Sequence, residues 1–100
     1  MSAYNSRGIT NYNLKKYTEA IADYTKAIEF APKFAGAYDN RGDVYSELKR
    51  YTEALADYTK AIELDPKFVS AYNSRGNVYK ALGKTKEAEA DFAKAKALEK

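Results

Sequence analysis

The chain has 100 residues, 45% of them apolar and 31% charged, with a formal net charge of +3 and a pI near 9.0. That is enough for one globular domain with a modest core, and too apolar for a disordered segment. Cysteine and histidine are both absent, which excludes disulfides, thiolate metal sites, Ser–His and Cys–His catalytic pairs and the usual general base near neutral pH.

The basic balance does not form a stripe. Lysines alternate with acids, as in Glu19, Lys26, Glu29 and Lys33, so the surface reads as solvated and no nucleic-acid partner is expected. No apolar run approaches the ~20 residues that cross a bilayer, and the N-terminus lacks a signal-peptide core. No membrane partner and a cytoplasmic location are therefore the default expectations, which a domain trimmed from a longer protein would share.

The first unit covers residues 1–34. Ala3, Tyr4, Arg7, Gly8 and Tyr12 recur at steps of three and four, a helical period. Leu14 to Tyr17 break it, and Thr18 is the expected N-cap of a second helix, with Glu19 against the positive end of its dipole. Ala20, Ile21, Tyr24, Ala27 and Ile28 then form one apolar face, and Pro32 ends the helix.

The second unit, residues 35–68, repeats this at an offset of 34. Tyr51 to Phe68 nearly copies Tyr17 to Phe34, and Leu64-Asp65-Pro66 is a cleaner stop than Phe30-Ala31-Pro32. The third unit, residues 69–100, keeps Ala71, Tyr72, Arg75, Gly76, Tyr79 and Leu82. Gly83 follows where a turn residue of positive φ is expected. In its second helix Glu89 stands for Ile21 and Leu55, and Lys96 for Ile28 and Ile62, as expected of a polar capping helix at the end of an array.

Self-similarity at a fixed period is the mark of stacked supersecondary units. The predicted fold is all-α, a single-domain solenoid of three antiparallel helix–turn–helix hairpins. Gly8, Gly42 and Gly76 would let helices approach closely, and the tyrosines would fill the gaps with their hydroxyls at the wet edge. Arg7, Arg41 and Arg75 each have an aspartate at constant offset: Asp23, Asp57 and Asp91. They could form a basic ligand-binding row. The favoured reading is that each guanidinium pairs with a carboxylate, within its hairpin or across to the next (Asp23 with Arg41, Asp57 with Arg75).

The aromatic at Tyr4, Gly8, Tyr12, Ala20, Tyr24, Ala27 and Pro32, recurring in phase three times, resemble the tetratricopeptide repeat, a helix–turn–helix unit. Asn11 and Thr85 depart from the pattern where tyrosines stand, and the three arginines where leucine is favoured. The resemblance implies a right-handed α-solenoid whose first helices line a concave, peptide-binding groove, with no cofactor.

The groove-facing places it implies are Ser2, Asn5, Ser6, Ile9, Tyr12 and Asn13 in the first unit. In the second they are Gly36, Asp39, Asn40, Asp43, Ser46 and Glu47, and in the third Ser70, Asn73, Ser74, Asn77, Lys80 and Ala81. The three units diverge most at these places, so packing does not dictate them. Asn5, Asn13, Asn40, Asn73 and Asn77 can donate to and accept from a peptide backbone. Asp39, Asp43 and Glu47 make the middle acidic and suited to basic peptide residues, Ile9 and Tyr12 offer an apolar patch at one end, and Ser46 and Lys80 complete the predicted site.

No catalytic or metal site is expected. Asp39 and Asp43 share a helical face, but no acid–base asymmetry is evident and no loop closes a coordination sphere. Family members that clamp chaperone carboxylate tails carry Lys, Asn, Asn, Lys and Arg at the places of Asn5, Ile9, Asn40, Ser70 and Ser74. Only Asn40 matches, which argues against carboxylate-tail chaperone peptides as partners. The expected function is a protein–protein interaction module, monomeric or weakly self-associating. The alternative is a designed, consensus-like or excised repeat scaffold with no ligand of its own.

Overall fold

In the computed structural model, which describes residues 3–99, six α-helices follow one another: α1 (Ala3–Asn13), α2 (Tyr17–Phe30), α3 (Ala35–Glu47), α4 (Tyr51–Leu64), α5 (Val69–Ala81) and α6 (Thr85–Leu98). Each odd helix packs along the even helix that follows it, giving three hairpins. The hairpins stack through α2 against α3 and α4 against α5, while α1, α3 and α5 also touch in series. The result is an all-α repeat solenoid of 35 × 25 × 19 Å, and α1, α3 and α5 share one face of it. Ser2, expected in the groove, lies outside the described residues.

The three hairpin turns have one construction. Gly83 takes φ +77°, and Lys15 and Lys49, at the same place in the first two units, take φ 63° and 60°. In each turn the residue with positive φ donates its N–H three residues back, and the next residue donates five back: Lys15 to Tyr12 and Lys16 to Asn11, Lys49 to Ser46 and Arg50 to Tyr45, Gly83 to Lys80 and Lys84 to Tyr79. This is the Schellman ending, which satisfies the last helical carbonyls and normally calls for glycine. A left-handed conformation costs a residue with a Cβ about 1–2 kcal/mol, so Lys49→Gly should raise stability by up to about 1 kcal/mol. Gly83→Ala should lower it by a similar amount. Urea melts of the two variants check both signs.

Thr18 is not the N-cap. The Schellman turn delivers the chain directly into α2 at Tyr17, leaving Lys16 as the cap residue with no side-chain cap bond. Starting the helix at Tyr17 places its ring against Tyr12, 5.9 Å away, and against the core. The stop at Asp65 is as expected: its carboxylate accepts the Lys67 N–H at 3.1 Å, a bond Ala31 cannot make.

The core lies between hairpins. Ala20 and Tyr24 of α2 bury Val44 of α3, with Tyr12, Tyr17 and Ile21 around them. Ala54 and Tyr58 of α4 bury Val78 of α5 in the same way. No hairpin completes a core alone, so each is stable only against a neighbour.

The arginines pair within hairpins. Arg41 sets its Nε and Nη2 on the two Asp57 oxygens at 2.8 and 2.7 Å, and Arg75 does the same with Asp91 at 2.8 and 2.8 Å. Arg7 puts both donors on Asp23 Oδ1 and leaves Oδ2 to Asn11 Nδ2 at 2.7 Å. The link to the preceding hairpin is a threonine rather than an aspartate: Nη1 of Arg41 donates to Thr25 at 3.1 Å, and Nη1 of Arg75 to Thr59 at 3.2 Å. At the same place on α6 the chain has Ala93, and α6 turns Glu89 and Lys96 outward.

Candidate functional site

The shared face of α1, α3 and α5 carries the residues that packing left unassigned. Along α3, steps of four set Asp39, Asp43 and Glu47 on one side of the helix. At the middle of this face is an open cleft of about 180 Å³ lined by Tyr12, Asp43, Ser46, Glu47, Tyr58, Ser74 and Asn77. Five of the twelve predicted site residues, Tyr12, Asp43, Ser46, Glu47 and Asn77, are brought together here.

The others are spread along the face. Asn5 is buried and its Oδ1 accepts from Asn40 Nδ2 at 3.2 Å, tying α1 to α3. Asp39 is buried one turn N-terminal of Asp43. Asn73 is half-buried on α5, and Ile9, Asn13 and Lys80 are exposed and do not line the cleft. Tyr12 joins the core and the acids rather than Ile9.

Tyr58 is a site residue that sequence reasoning missed. It sits on the copied second helix of its hairpin, yet its hydroxyl donates to Asp43 Oδ1 at 2.6 Å. Ser70 of α5 likewise donates to Asp39 Oδ2 at 3.1 Å, and Ser74, one turn on, stands within reach of both Asp43 and Tyr58. The signal available was the phenol itself: Tyr58 follows Asp57 on the packed side of its helix, and a buried tyrosine hydroxyl needs a partner.

Electrostatics follow from burial. Asp39 is pushed up to about 7, chiefly by burial and then by the Asp43 charge, against which the Ser70 bond works only partly. Burial also raises Asp43, opposed by the Tyr58 hydroxyl. The phenols that face these acids rise in turn: Tyr12, Tyr24 to about 12, and Tyr58, each first through burial. Asp23 moves the other way, held below the usual range by the Arg7 guanidinium.

Asp39 gives a pH prediction. Its folded pKa of about 7 lies above its ordinary 3.8, so between those values the native state binds the extra proton. Stability from this group is present at low pH and is lost as pH rises through about 7. Asparagine cannot ionise. Asp39→Asn should therefore gain on the parent by of order 2–4 kcal/mol between pH 5 and pH 8. Urea midpoints for both proteins at the two pH values measure the difference. Asp23 acts in the opposite window, losing its contribution as pH falls below the carboxylate range.

Tetratricopeptide repeat family models match residues 2–34, 23–56 and 69–100, and a TPR repeat model matches residues 42–83. No curated protein sequence matches the chain. Among solved structures, the second TPR domain of Spaghetti (RPAP3), bound to the HSP90 peptide SRMEEVD, is 34% identical with a TM-score of 0.93, covering 96% of this chain and 89% of that one. The TPR domain of Arabidopsis OM64 is 38% identical with a TM-score of 0.94, over 96% and 79% of the two chains. The TPR2B domain of yeast Sti1, in complex with pHsp70, is 30% identical with a TM-score of 0.93, over 95% and 76%.

These structures overturn the expectation that set chaperone-tail peptides aside. Domains that overlay nearly the whole of this chain are held with such peptides. The expectation weighed side-chain identity at five places. It gave no weight to the backbone shape of the groove, which is the property these structures share with this chain. With family models in every unit and solved relatives above 30% identity over 96% of its length, the chain belongs to the tetratricopeptide repeat family, whose fold is a protein-interaction scaffold.

Proposed function

We propose that this chain is a peptide-binding module in which an extended segment of a partner protein lies along the face shared by α1, α3 and α5. The observation that carries the reading is the open cleft at the middle of that face, lined by polar groups from three hairpins. Hydroxyls, carboxylates and the Asn77 amide there can meet the donors and acceptors of a peptide backbone. The HSP90 peptide bound to the Spaghetti domain and the pHsp70 complex of the Sti1 domain support it, and SRMEEVD is the first partner to test.

NMR titration with SRMEEVD and a small set of unrelated heptapeptides tests the proposal. The expected result is saturable binding with amide shifts concentrated on α1, α3 and α5. Shifts confined to the outer sides of α2, α4 and α6, or none with any peptide, would overturn it.

A further inference from the structure

The cations of the hairpin frame are already committed. Arg7, Arg41 and Arg75 are paired with Asp23, Asp57 and Asp91. Asp39, Asp43 and Glu47 are in no ion pair among the described residues; the groups that meet Asp39 and Asp43 are hydroxyls. A hydroxyl donates one hydrogen bond and carries no charge, so it satisfies a carboxylate oxygen without neutralising the carboxylate. Asp39, one turn from the cleft and outside its lining, is pushed up to about 7 by burial and by the Asp43 charge, and its buried Oδ1 has no hydrogen-bond partner among the described residues.

The cleft beside these acids holds about 180 Å³, several times the ~30 Å³ that a water occupies. Its walls include Tyr12 and the hydroxyl tip of Tyr58 as well as Asp43 and Glu47. Carboxylates and hydroxyls around a small open cleft suit a cationic head that donates hydrogen bonds.

We propose that this acidic cleft is the seat for one cationic side chain, a lysine or arginine, of the bound peptide. The proposal rests on the groove reading above and adds to it which peptide residue the centre selects. The head enters between Asp43 and Glu47, and its field reaches Asp39 one turn along α3. Binding is coupled to pH. The titratable groups facing the row are Tyr12 from α1, Tyr24 from α2 and Tyr58 from α4, all raised and neutral near pH 7, and Asp43 and Glu47 on α3 itself. α5 contributes the neutral Ser70, Ser74 and Asn77, with Lys80 exposed beyond them. A cation in the cleft favours ionised Asp39, so a cationic peptide binds more tightly at pH 8 than at pH 6.

The experiment scans SRMEEVD with lysine and with norleucine at each position and reads affinities by fluorescence anisotropy. Norleucine keeps the stem and removes the charge. At one position lysine should exceed norleucine by about tenfold, the size of one charge-assisted contact. Glu47→Gln, on an exposed side chain, and Asp43→Asn should each cut that ratio to about threefold or less. The ratio should also grow from pH 6 to pH 8. Peptides that bind with no lysine preference at any position, or a preference that survives both substitutions, overturn the seat and leave the groove standing. Absence of binding by every peptide overturns the groove and the seat together.

Discussion

Asp57→Ala should destabilise the fold by about 3–5 kcal/mol, the usual cost of stranding one partner of a buried ion pair. Asp57 is 6% exposed and Arg41 19%, and they meet through two parallel bonds of 2.8 and 2.7 Å. Loss of the carboxylate leaves a guanidinium that is always charged inside the α3–α4 hairpin, with only the Thr25 hydroxyl still accepting from it. Because that third bond crosses to the first hairpin, a displaced Arg41 also loosens the contact between α2 and α3. A domain of this size has about 5–15 kcal/mol in total, so the variant should melt early or be partly unfolded at 25 °C. Urea unfolding followed by circular dichroism measures the loss.

Two further variants separate the stranded charge from lost packing. In Arg41→Met/Asp57→Leu both charges are gone, and stability should return to within about 1–2 kcal/mol of the parent. Thr25→Val removes only the bond between hairpins and should cost about 1 kcal/mol. Asp57→Ala within about 0.5 kcal/mol of the parent would mean that the pair contributes nothing. The corresponding pair in the first hairpin is a weaker test, since the Arg7 side chain is 65% exposed and water can replace its partner.

The hairpins and the pairing of arginine with aspartate were legible because each repeats with the packing that causes it, and the stop at Asp65 because Asp-Pro cannot continue a helix. The turns were legible only once, at Gly83. Lys15 and Lys49 occupy the same left-handed place without glycine's signature, and only the 34-residue offset to Gly83 could have exposed them. Asp39 read as an acid facing the open groove. Its counterpart in the first unit is Asn5, and both are buried, because the next odd helix covers that place. Tyr58 read as scaffold because α4 is the best copied element. Helical geometry nevertheless carries its hydroxyl through the hairpin to Asp43, so one side chain serves the core at its ring and the cleft at its tip. The likeness to domains solved with chaperone peptides was legible least, since overall shape belongs to the stacked backbone and no single residue encodes it.

Gly42→Ala should cost about 1–3 kcal/mol, although the same change inside an ordinary helix gains about 0.5–1 kcal/mol. A Cβ on Gly42 would lie 2.7 Å from Cε1, 2.9 Å from Cδ1 and 3.0 Å from Cζ of Tyr58. The ring cannot swing aside. It is 1% exposed, packed on Ala54 and Val78, and its hydroxyl is held by Asp43. The added methyl must therefore push α3 from α4 or break the Tyr58–Asp43 bond, and either change reaches the cleft. Gly36→Ala supplies the contrast, since its nearest neighbour is Cε1 of the half-buried Phe34 ring at 3.0 Å, which has room to move. Equilibrium unfolding of both variants, with Tyr58→Leu added to Gly42→Ala, tests the cause. With the ring gone, the alanine penalty should vanish and give way to a gain of up to about 0.5–1 kcal/mol. A penalty that persists in the double variant would place the strain in the helix backbone instead of the ring contact.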